Sequence, residues 1–352
     1  MSTRRGRVLI QASLLSVGLC GLAADAGATD PPATGSGSSC VIQGNAIAPK
    51  DQAIYSAATG GNRIAVFSGA ITPLRATNFP ADSNNGRMQI NTAAGFRIEG
   101  FTDARSINVW SSRDIPVAPD HVWISGGRQL RVLGASPGRL RVELPARGSI
   151  GQPVQANASC DALSFGRTTP PVFDTPGNAR GYVAQRNELD LHGSSAGDLS
   201  YTLHASGDGS SILLWSTETR GAYVHVLSRF ELYVDAWVKR SDVKALPQGE
   251  MMDQAIPAES VQNPPSLALS NYLRIVQATH AIPIRFGRGD AAPVIGEIES
   301  GSEVYVLDII LSWASVIPKA LHVMPTDEKG FWVKASDLGI AIPVPDGGVP
   351  RK

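Results

Sequence analysis

The chain has 352 residues, so at roughly 100 to 200 residues per domain it is long enough for about two to four folded units. Its 31 basic and 31 acidic residues cancel, which excludes the cationic excess that nucleic-acid-binding proteins use to neutralise phosphates. A hydrophobic share of 43% with a charged share of 18% excludes extensive disorder. The 36 glycines and 24 prolines interrupt helices and so favour an all-β chain of short strands and turns.

The N-terminus has the three parts of a secretory signal peptide over residues 1–28. Three arginines precede an apolar run over residues 8–22, and small residues follow, so that cleavage is expected after Ala26 or Ala28. The apolar run is too short for a membrane span of about 20 residues. We therefore expect a protein that is exported to the periplasm or the extracellular space and does not span a membrane, with a flexible lead over residues 29–40.

Two other export signals match parts of the same segment. Arg4 and Arg5 resemble a twin-arginine signal, but Arg7 stands where that pattern has an apolar residue. Cys20 follows the apolar run as a lipidated cysteine does, although Leu19 stands where a small residue is usual. Lipid anchoring at Cys20 is therefore a minor alternative.

Removal of the signal peptide leaves two of the three cysteines, Cys40 and Cys160, which are expected to pair in an oxidising compartment. In the chain-entropy model a bridge across so long a loop stabilises the fold by up to about 4.7 kcal/mol. Two buried free thiols are the alternative, because cysteine is often simply buried. The histidines and cysteines do not have the spacing of a zinc site, so no metal and no cofactor is expected.

Apolar residues alternate with polar ones in much of the remaining chain, which is the period of a β-strand. Clear cases are residues 129–133, 140–144 and 303–307. Breaks rich in Pro and Gly fall at 168–178 and at a linker over 247–270, and the tail over 342–352 is also loose. The best helix candidate is Ser266–Val276, with a lead into a strand as the alternative.

A short stretch of the chain occurs twice. Trp237–Val243 and Trp332–Leu338 share five identities in seven residues, including the tryptophan. Each copy follows a strand in which an aromatic residue, Tyr223 or Trp313, precedes a valine by three positions. The pattern predicts an internal repeat, which determines the architecture of the whole chain.

The last repeat, over residues 280–340, resembles the bacterial Src-homology-3-like (SH3b-type) family of small five-stranded barrels. The family's order of strands and turns is matched by Ile282–Arg285, Gly287, Pro293–Ile298, Gly301, Val304–Leu307, Trp313, Val316, Gly330–Val333 and Asp337–Leu338. The sequence departs from the family pattern at two places. Phe331 stands directly before Trp332, and the loop after Ile317 is longer than usual. Both departures affect the expected ligand loops more than the barrel.

The resemblance implies an all-β chain of tandem small SH3-like β-barrels joined by Pro- and Gly-rich linkers. The expected barrels cover residues 41–110, 111–168, 179–246 and 271–341. If the first two are real, a Cys40–Cys160 bridge joins the start of one to the end of the other and makes a rigid N-terminal pair.

The stretch Gly193–Gly197 fits the Gly-x-Ser-x-Gly pattern of a hydrolase nucleophile at Ser195, and His204, Asp190 and Asp208 lie nearby. That motif requires a buried strand that enters a helix, whereas alternating leucines flank a small polar turn here. We therefore expect a turn and no catalytic residue.

The candidate ligand-binding residues are four aromatic residues at matching positions of the last two repeats: Tyr223, Trp237, Trp313 and Trp332. Rigid rings often line peptide grooves, but they also fill small cores, and packing is the alternative. The resemblance implies that the partner is a cell-wall (peptidoglycan) peptide or an envelope protein. The expected function is that of an exported, non-enzymatic binding protein. A structural or assembly component of the cell envelope and a hydrolase with an unrecognised site are the alternatives.

Overall fold

The computed structural model describes residues 40–93, 95–118, 120–209, 212–247, 268–320, 323–326 and 330–341. These residues belong to one compact unit, Gly37–Lys352. They contain 27 strands and three 3₁₀ turns but no α-helix, and the strands pair antiparallel. The prediction of an all-β chain is confirmed. The predicted signal peptide, Cys20, residues 248–267 of the linker and the tail lie outside the described residues.

The strands follow one another as four segments. Segment 1 contains β1 (Ile42–Ile47), β2 (Ala53–Tyr55), β3 (Arg63–Phe67), β4 (Ile71–Asn78), β5 (Arg87–Thr92), β6 (Phe96–Asp103) and the 3₁₀ turn η1 (Ala104–Ser106). Segment 2 contains β7 (Val109–Ser111), β8 (Ile115–Ala118), β9 (Val122–Ile124), β10 (Gln129–Ser136), β11 (Arg139–Leu144), β12 (Val154–Ser159), η2 (Cys160–Ala162) and β13 (Leu163–Ser164).

The second half of the chain repeats this pattern after a stretch without strands that includes the predicted break at 168–178. Segment 3 contains β14 (Arg180–Ala184), β15 (Glu188–His192), β16 (Leu199–His204), β17 (Leu213–Arg220), β18 (Tyr223–Arg229), β19 (Leu232–Lys239), η3 (Arg240–Asp242) and β20 (Val243–Ala245). Segment 4 contains β21 (Arg274–Gln277), β22 (Ile282–Phe286), β23 (Val294–Ile298), β24 (Glu303–Ile310), β25 (Trp313–Pro318), β26 (Val323–Pro325) and β27 (Phe331–Lys334).

The four segments share one order of strands. Each begins with a single strand, continues with a hairpin (β2–β3, β8–β9, β15–β16, β22–β23) and then has a three-stranded meander (β4–β5–β6, β10–β11–β12, β17–β18–β19, β24–β25–β27). The single strand pairs with the first meander strand in every segment. A tight turn follows each meander, and in segments 2 and 3 a last short strand, β13 or β20, then pairs with the first strand.

The segments are joined through strand pairing between a hairpin of one and the last meander strand of another. In segments 4 and 1, β23 pairs with β6, and in segments 2 and 3, β9 pairs with β19. The loop before the last meander strand makes a second contact in both cases, through β26 with β3 and through Ile150 with Ala205. These pairings give sheets of 13, 5 and 9 strands, and the largest contains the first and last segments together.

The helix candidate at Ser266–Val276 is wrong where the structure describes it. Residues 268–273 form no helix, and Arg274–Gln277 form the strand β21, which pairs with β24. Val276 lies opposite Val304 and Ile275 opposite Tyr305, so β-branched and aromatic side chains pair across the strands. This long-range pairing outweighs a short helical pattern. No helix among the described residues is long and apolar enough to cross a bilayer.

The predicted disulfide between Cys40 and Cys160 is present, with the two Cα atoms 5.4 Å apart. Cys40 precedes β1, and Cys160 begins η2, so the bridge ties the start of segment 1 to the end of the segment 2 meander. The amide of Phe165 also donates a hydrogen bond to the carbonyl of Gln43 (3.3 Å). Segments 1 and 2 are therefore joined both covalently and by hydrogen bonds.

Candidate functional site

The hairpin of a segment usually closes against the last meander strand of the same segment. In segment 1, Tyr55 of β2 lies opposite Phe101 of β6. In segment 3, His192 of β15 lies opposite Trp237 of β19, and in segment 4, Arg285 of β22 lies opposite Trp332 of β27. Three segments thus close this seam by strand pairing.

The seam of segment 2 has no strand pairing among the described residues, although β8 and β12 lie side by side. Its hairpin pairs through β9 with β19 of segment 3, while β12 pairs only with β11 and ends its sheet. A cleft of about 600 Å³ lies between β8 and β12. Its lining includes Arg113, Asp114, Pro116, Val117, Arg139, Arg141, Gln155, Asn157 and Ser159.

Asp114 joins the segment 2 hairpin to segment 3. Its carboxylate accepts hydrogen bonds from both Nη atoms of Arg229 in segment 3 (2.7 and 2.8 Å) and from the amide of Gly126 (2.9 Å). Burial alone raises the pKa of Asp114, but the hydrogen bonds from Arg229 and Gly126 and the charge of Arg229 lower it overall. Asp114 is therefore ionised at neutral pH and bound to segment 3, so its charge is balanced at the cleft wall.

One end of the cleft is closed by polar contacts. The amide of Ser112 donates to the carbonyl of Ala162 (2.8 Å). Arg113 donates to Asp161 (2.6 Å) and to Ser159 Oγ (3.1 Å). A hydrogen bond with Ser159 and the neighbouring charge of Arg113 lower the pKa of Asp161, so this carboxylate balances Arg113.

Two cations remain in the cleft, Arg139 and Arg141 of β11. Both side chains are exposed, and their positions two residues apart place them on one face of the strand. Arg139 lies opposite Ser159 and Arg141 opposite Asn157 of β12. Arg141 reaches the carbonyl of Ala81 at 3.5 Å, and neither guanidinium has a carboxylate partner among the described residues. The cleft thus carries two positive charges that no carboxylate of the described residues balances.

The arginines occupy the positions that correspond to the predicted aromatic site. In segment 3, Tyr223 lies opposite Lys239 and His225 opposite Trp237. In segment 4, Trp313 lies opposite Lys334 and Ser315 opposite Trp332. In the register of segment 2, Arg139 therefore occupies the position of Tyr223 and Trp313. Arg141 occupies the next outward-facing position of the same strand. Asn157 occupies the position of Trp237 and Trp332. Sequence reasoning followed the aromatic residues and therefore missed the segment in which this surface is open.

Two of the four predicted aromatic residues lie in segment 3 and the other two in segment 4. Trp237 and Trp313 are each 8% exposed, and Tyr223 and Trp332 are half-buried. Neighbouring side chains lie against three of these rings. The centroid of Trp237 is 4.9 Å from that of His225, that of Tyr223 is 5.3 Å from that of His192, and the Arg288 guanidinium lies 5.5 Å from the Trp332 ring.

The Gly193–Gly197 stretch is the turn between the antiparallel strands β15 and β16. The amide of Gly197 donates to the carbonyl of Ser194 (3.1 Å), so Ser195 lies within a tight turn. Asp190 accepts from Thr202 (2.9 Å), and His204 contacts Glu188 (3.5 Å). The strand-to-helix context of a nucleophile elbow is absent at this position.

Groups of three or more His, Cys, Asp or Glu side chains that could hold a metal ion do not occur in the described part of the chain. Comparison with family models, with curated proteins and with solved structures finds no match to this chain.

Proposed function

We propose that this chain is an exported, non-enzymatic binding protein built from four SH3-like barrels, and that the segment 2 cleft recognises a cell-wall peptide. The shared strand order supports the barrel assignment, because each segment has a strand, a hairpin, a three-stranded meander and a tight turn. The Cys40–Cys160 bridge supports export, because disulfides persist in oxidising compartments. An envelope protein is the other partner that the sequence suggests.

The cleft of segment 2 carries the proposal. It lies along the seam at which β8 and β12 are neighbours without strand pairing. Concave sites with a few convergent polar groups are typical of ligand binding, and this cleft has Arg139, Arg141, Gln155 and Asn157 on one wall. A peptide that carries carboxylates, such as a cell-wall peptide, suits the two positive charges of this wall.

Co-sedimentation of the mature chain with peptidoglycan sacculi across a salt series tests this function. We expect the wild-type protein to sediment with sacculi, and the double variant Arg139→Ala with Arg141→Ala to stay in the supernatant. Arg131→Ala is the matched control, because Arg131 is exposed on the neighbouring strand β10 but outside the cleft. Failure of the wild-type chain to sediment at any salt concentration would reject wall binding.

A structural role in the envelope is the second candidate, and the packing of the aromatic rings favours it. Trp123 of segment 2 and Tyr233 of segment 3 pack with centroids 5.2 Å apart, and Arg229 lies 4.4 Å from the Tyr233 ring. Aromatic side chains are therefore packed between segments 2 and 3. Retention of the mature chain by one specific envelope protein, with no retention on sacculi, would support this role over wall binding.

A further inference from the structure

We infer that two copies of this chain associate through β21, with the strand of one copy antiparallel to that of the other. Such a pair is isologous, because each copy contributes the same surface about a two-fold axis. The inference goes beyond the proposed function and does not depend on the segment 2 cleft. Three observations carry it: the repeated strand order, the side chains of β21 and the place of β21 at the end of its sheet.

In segments 1, 2 and 3 the first strand is bordered on both sides. On one side it pairs with the first meander strand, as β21 does with β24. On the other side β7 pairs with β13, and β14 pairs with β20. β13 also lies beside β1, where the amide of Phe165 donates to the carbonyl of Gln43 (3.3 Å). Among the described residues, β21 pairs only with β24 and ends the 13-stranded sheet, so its second edge is unpaired.

Segment 4 forms a turn where segment 3 forms the covering strand. In the repeated stretch, Leu338 aligns with Val243, the first residue of β20. Segment 3 continues from that position as an extended strand. In segment 4, Gly339 has a φ of +66°, and the amide of Ile340 donates back to the carbonyl of Ala335 (2.9 Å). The described residues of segment 4 therefore supply no strand to cover β21.

The side chains at the free edge are mostly apolar and exposed. Leu273 is 61% exposed, Tyr272 43% and Ile275 37%. Arg274 is the one charged residue between Tyr272 and Gln277. Strand edges are usually protected by charges, prolines or a covering element, because an unprotected edge can pair with another chain. This edge has little such protection.

A second copy of β21 resembles the strands that cover the equivalent edges. β13 and β20 each bury an aliphatic side chain, Leu163 and Val243. Leu273, directly before β21, and Ile275, within it, are aliphatic residues that are exposed in the single chain. A second copy therefore supplies an apolar strand of the kind that already borders β7 and β14.

Two-fold symmetry limits the register of the pair. Antiparallel pairing about Ile275 places this residue opposite its own copy, and each Ile275 also lies opposite Tyr305 of its own chain. Arg274 then lies opposite Val276 of the second copy, so the two positive charges are not directly opposite, where they would destabilise the pair. The pair presents every binding surface of the chain twice, which strengthens weak binding to a polymer.

Oxidative cross-linking of the mature chain tests this register. Directly opposite residues of antiparallel strands have Cα atoms about 4.5 to 5.5 Å apart, which is within the range of a disulfide. Ile275→Cys should therefore form a covalent dimer under a mild thiol oxidant, while Cys40 and Cys160 remain bridged to each other. Ile47→Cys is the matched control and should stay monomeric, because Ile47 is 61% exposed on β1 at the other end of the same sheet.

Sedimentation velocity of the mature chain provides a second readout. We expect the average mass to rise from one chain towards two as the protein concentration is raised. Ile275→Lys should abolish this rise, because it places two positive charges opposite each other, and Ile47→Lys should leave it unchanged.

A wild-type chain that stays monomeric at every concentration would overturn the inference, and would indicate that another part of the chain or a different partner covers this edge. Equal cross-linking of the two cysteine variants would overturn it as well, because that result indicates random collision. A dimer that Ile275→Lys leaves intact would place the contact elsewhere on the molecule.

Discussion

Contacts of single residues hold the segment 2 hairpin against segment 3. Asp114 and Arg229 make a two-pronged ion pair between segments 2 and 3, and their side chains are 26% and 11% exposed. Such paired hydrogen bonds between ionised groups are among the strongest in proteins. Arg128 adds a second contact, because its Nη2 donates to the carbonyl of Phe230 (2.6 Å) from a buried position. The pairing of the segment 2 hairpin with segment 3 is thus accompanied by contacts of charged side chains.

Replacement of Asp114 by Asn should make the free energy of unfolding depend less on pH in the acidic range. At pH 7 we expect a loss of roughly 1 to 3 kcal/mol in the free energy of unfolding, because Arg229 loses its charged partner. The pKa of Asp114 is lowered in the folded state, so its stabilisation is present above about pH 4 and is lost as the pH falls through the folded-state pKa. Urea denaturation of both proteins at neutral and acidic pH should show the difference shrinking in acid, and a constant difference would contradict the role of the charge.

The tryptophans of segments 3 and 4 should differ in their effect on stability. Trp237 is 8% exposed and packs on His225, so Trp237→Ala should lower the free energy of unfolding by about 3 to 5 kcal/mol. Trp332 is only half-buried, and Trp332→Ala should cost less. Urea denaturation of the two variants measures both values. A larger loss for Trp332 would contradict this assignment of burial.

The strand pairing of each hairpin decides whether the seam of its segment is closed by hydrogen bonds. The hairpins of segments 1, 3 and 4 pair with a strand of their own segment, whereas the hairpin of segment 2 pairs with β19 of segment 3. β19 pairs with both β15 of its own hairpin and β9 of its neighbour, at different ends of the strand. β6 is shared in the same way by β2 and β23, yet the segment 4 hairpin also pairs with its own β27, so strand sharing alone does not leave a seam unpaired.

Loss of the disulfide should weaken the junction of segments 1 and 2. The bridge closes a loop across a sequence separation of 120 residues. In Cys40→Ser with Cys160→Ser we expect the free energy of unfolding to fall by about 2 to 5 kcal/mol, because the unfolded chain regains the entropy of this loop. Chemical denaturation with and without dithiothreitol checks this: the reductant should lower the stability of the wild-type chain to that of the variant, and a wild-type chain insensitive to reduction would argue against the bridge.

Strand alternation and cysteine pairing could be predicted from the sequence because both are local or follow from the compartment. The alternating stretches at 129–133, 140–144 and 303–307 lie within β10, β11 and β24. The helix candidate at Ser266–Val276 failed because its outcome depended on pairing with β24. The cleft could not be predicted for the same physical reason, since the position of β8 is decided by a hydrogen-bonded partner more than 100 residues later in the chain.

At the scale of the whole molecule, the first and last segments share a sheet. Ile98 lies opposite Gly296, Arg97 contacts Glu297 at 2.6 Å, and the rings of Phe96 and Phe331 have centroids 5.5 Å apart. The barrel boundaries expected from the sequence remain a prediction. The joined sheet nevertheless means that segment 4 does not stand apart from segment 1, so binding experiments require the complete chain.

Gly296→Ala should separate the first and last segments. A Cβ at this position would lie 1.9 Å from the carbonyl oxygen of Arg97, so β23 and β6 would have to move apart. We expect a loss of roughly 1 to 3 kcal/mol in the free energy of unfolding, as for other overpacked sites. Gly177→Ala is the control, because nothing lies within 4 Å of its added Cβ. Equal stability of the two variants in urea would contradict the close contact of these strands.

Amide hydrogen exchange of the mature chain, with and without soluble cell-wall muropeptides, tests the segment 2 cleft most directly. Binding in the cleft should slow exchange in β8 and β12, which line it, and leave β15 and β22 unchanged, because they lie outside it. Protection confined to the aromatic strands of segments 3 and 4, or no protection in β12, would contradict the segment 2 cleft as the binding site.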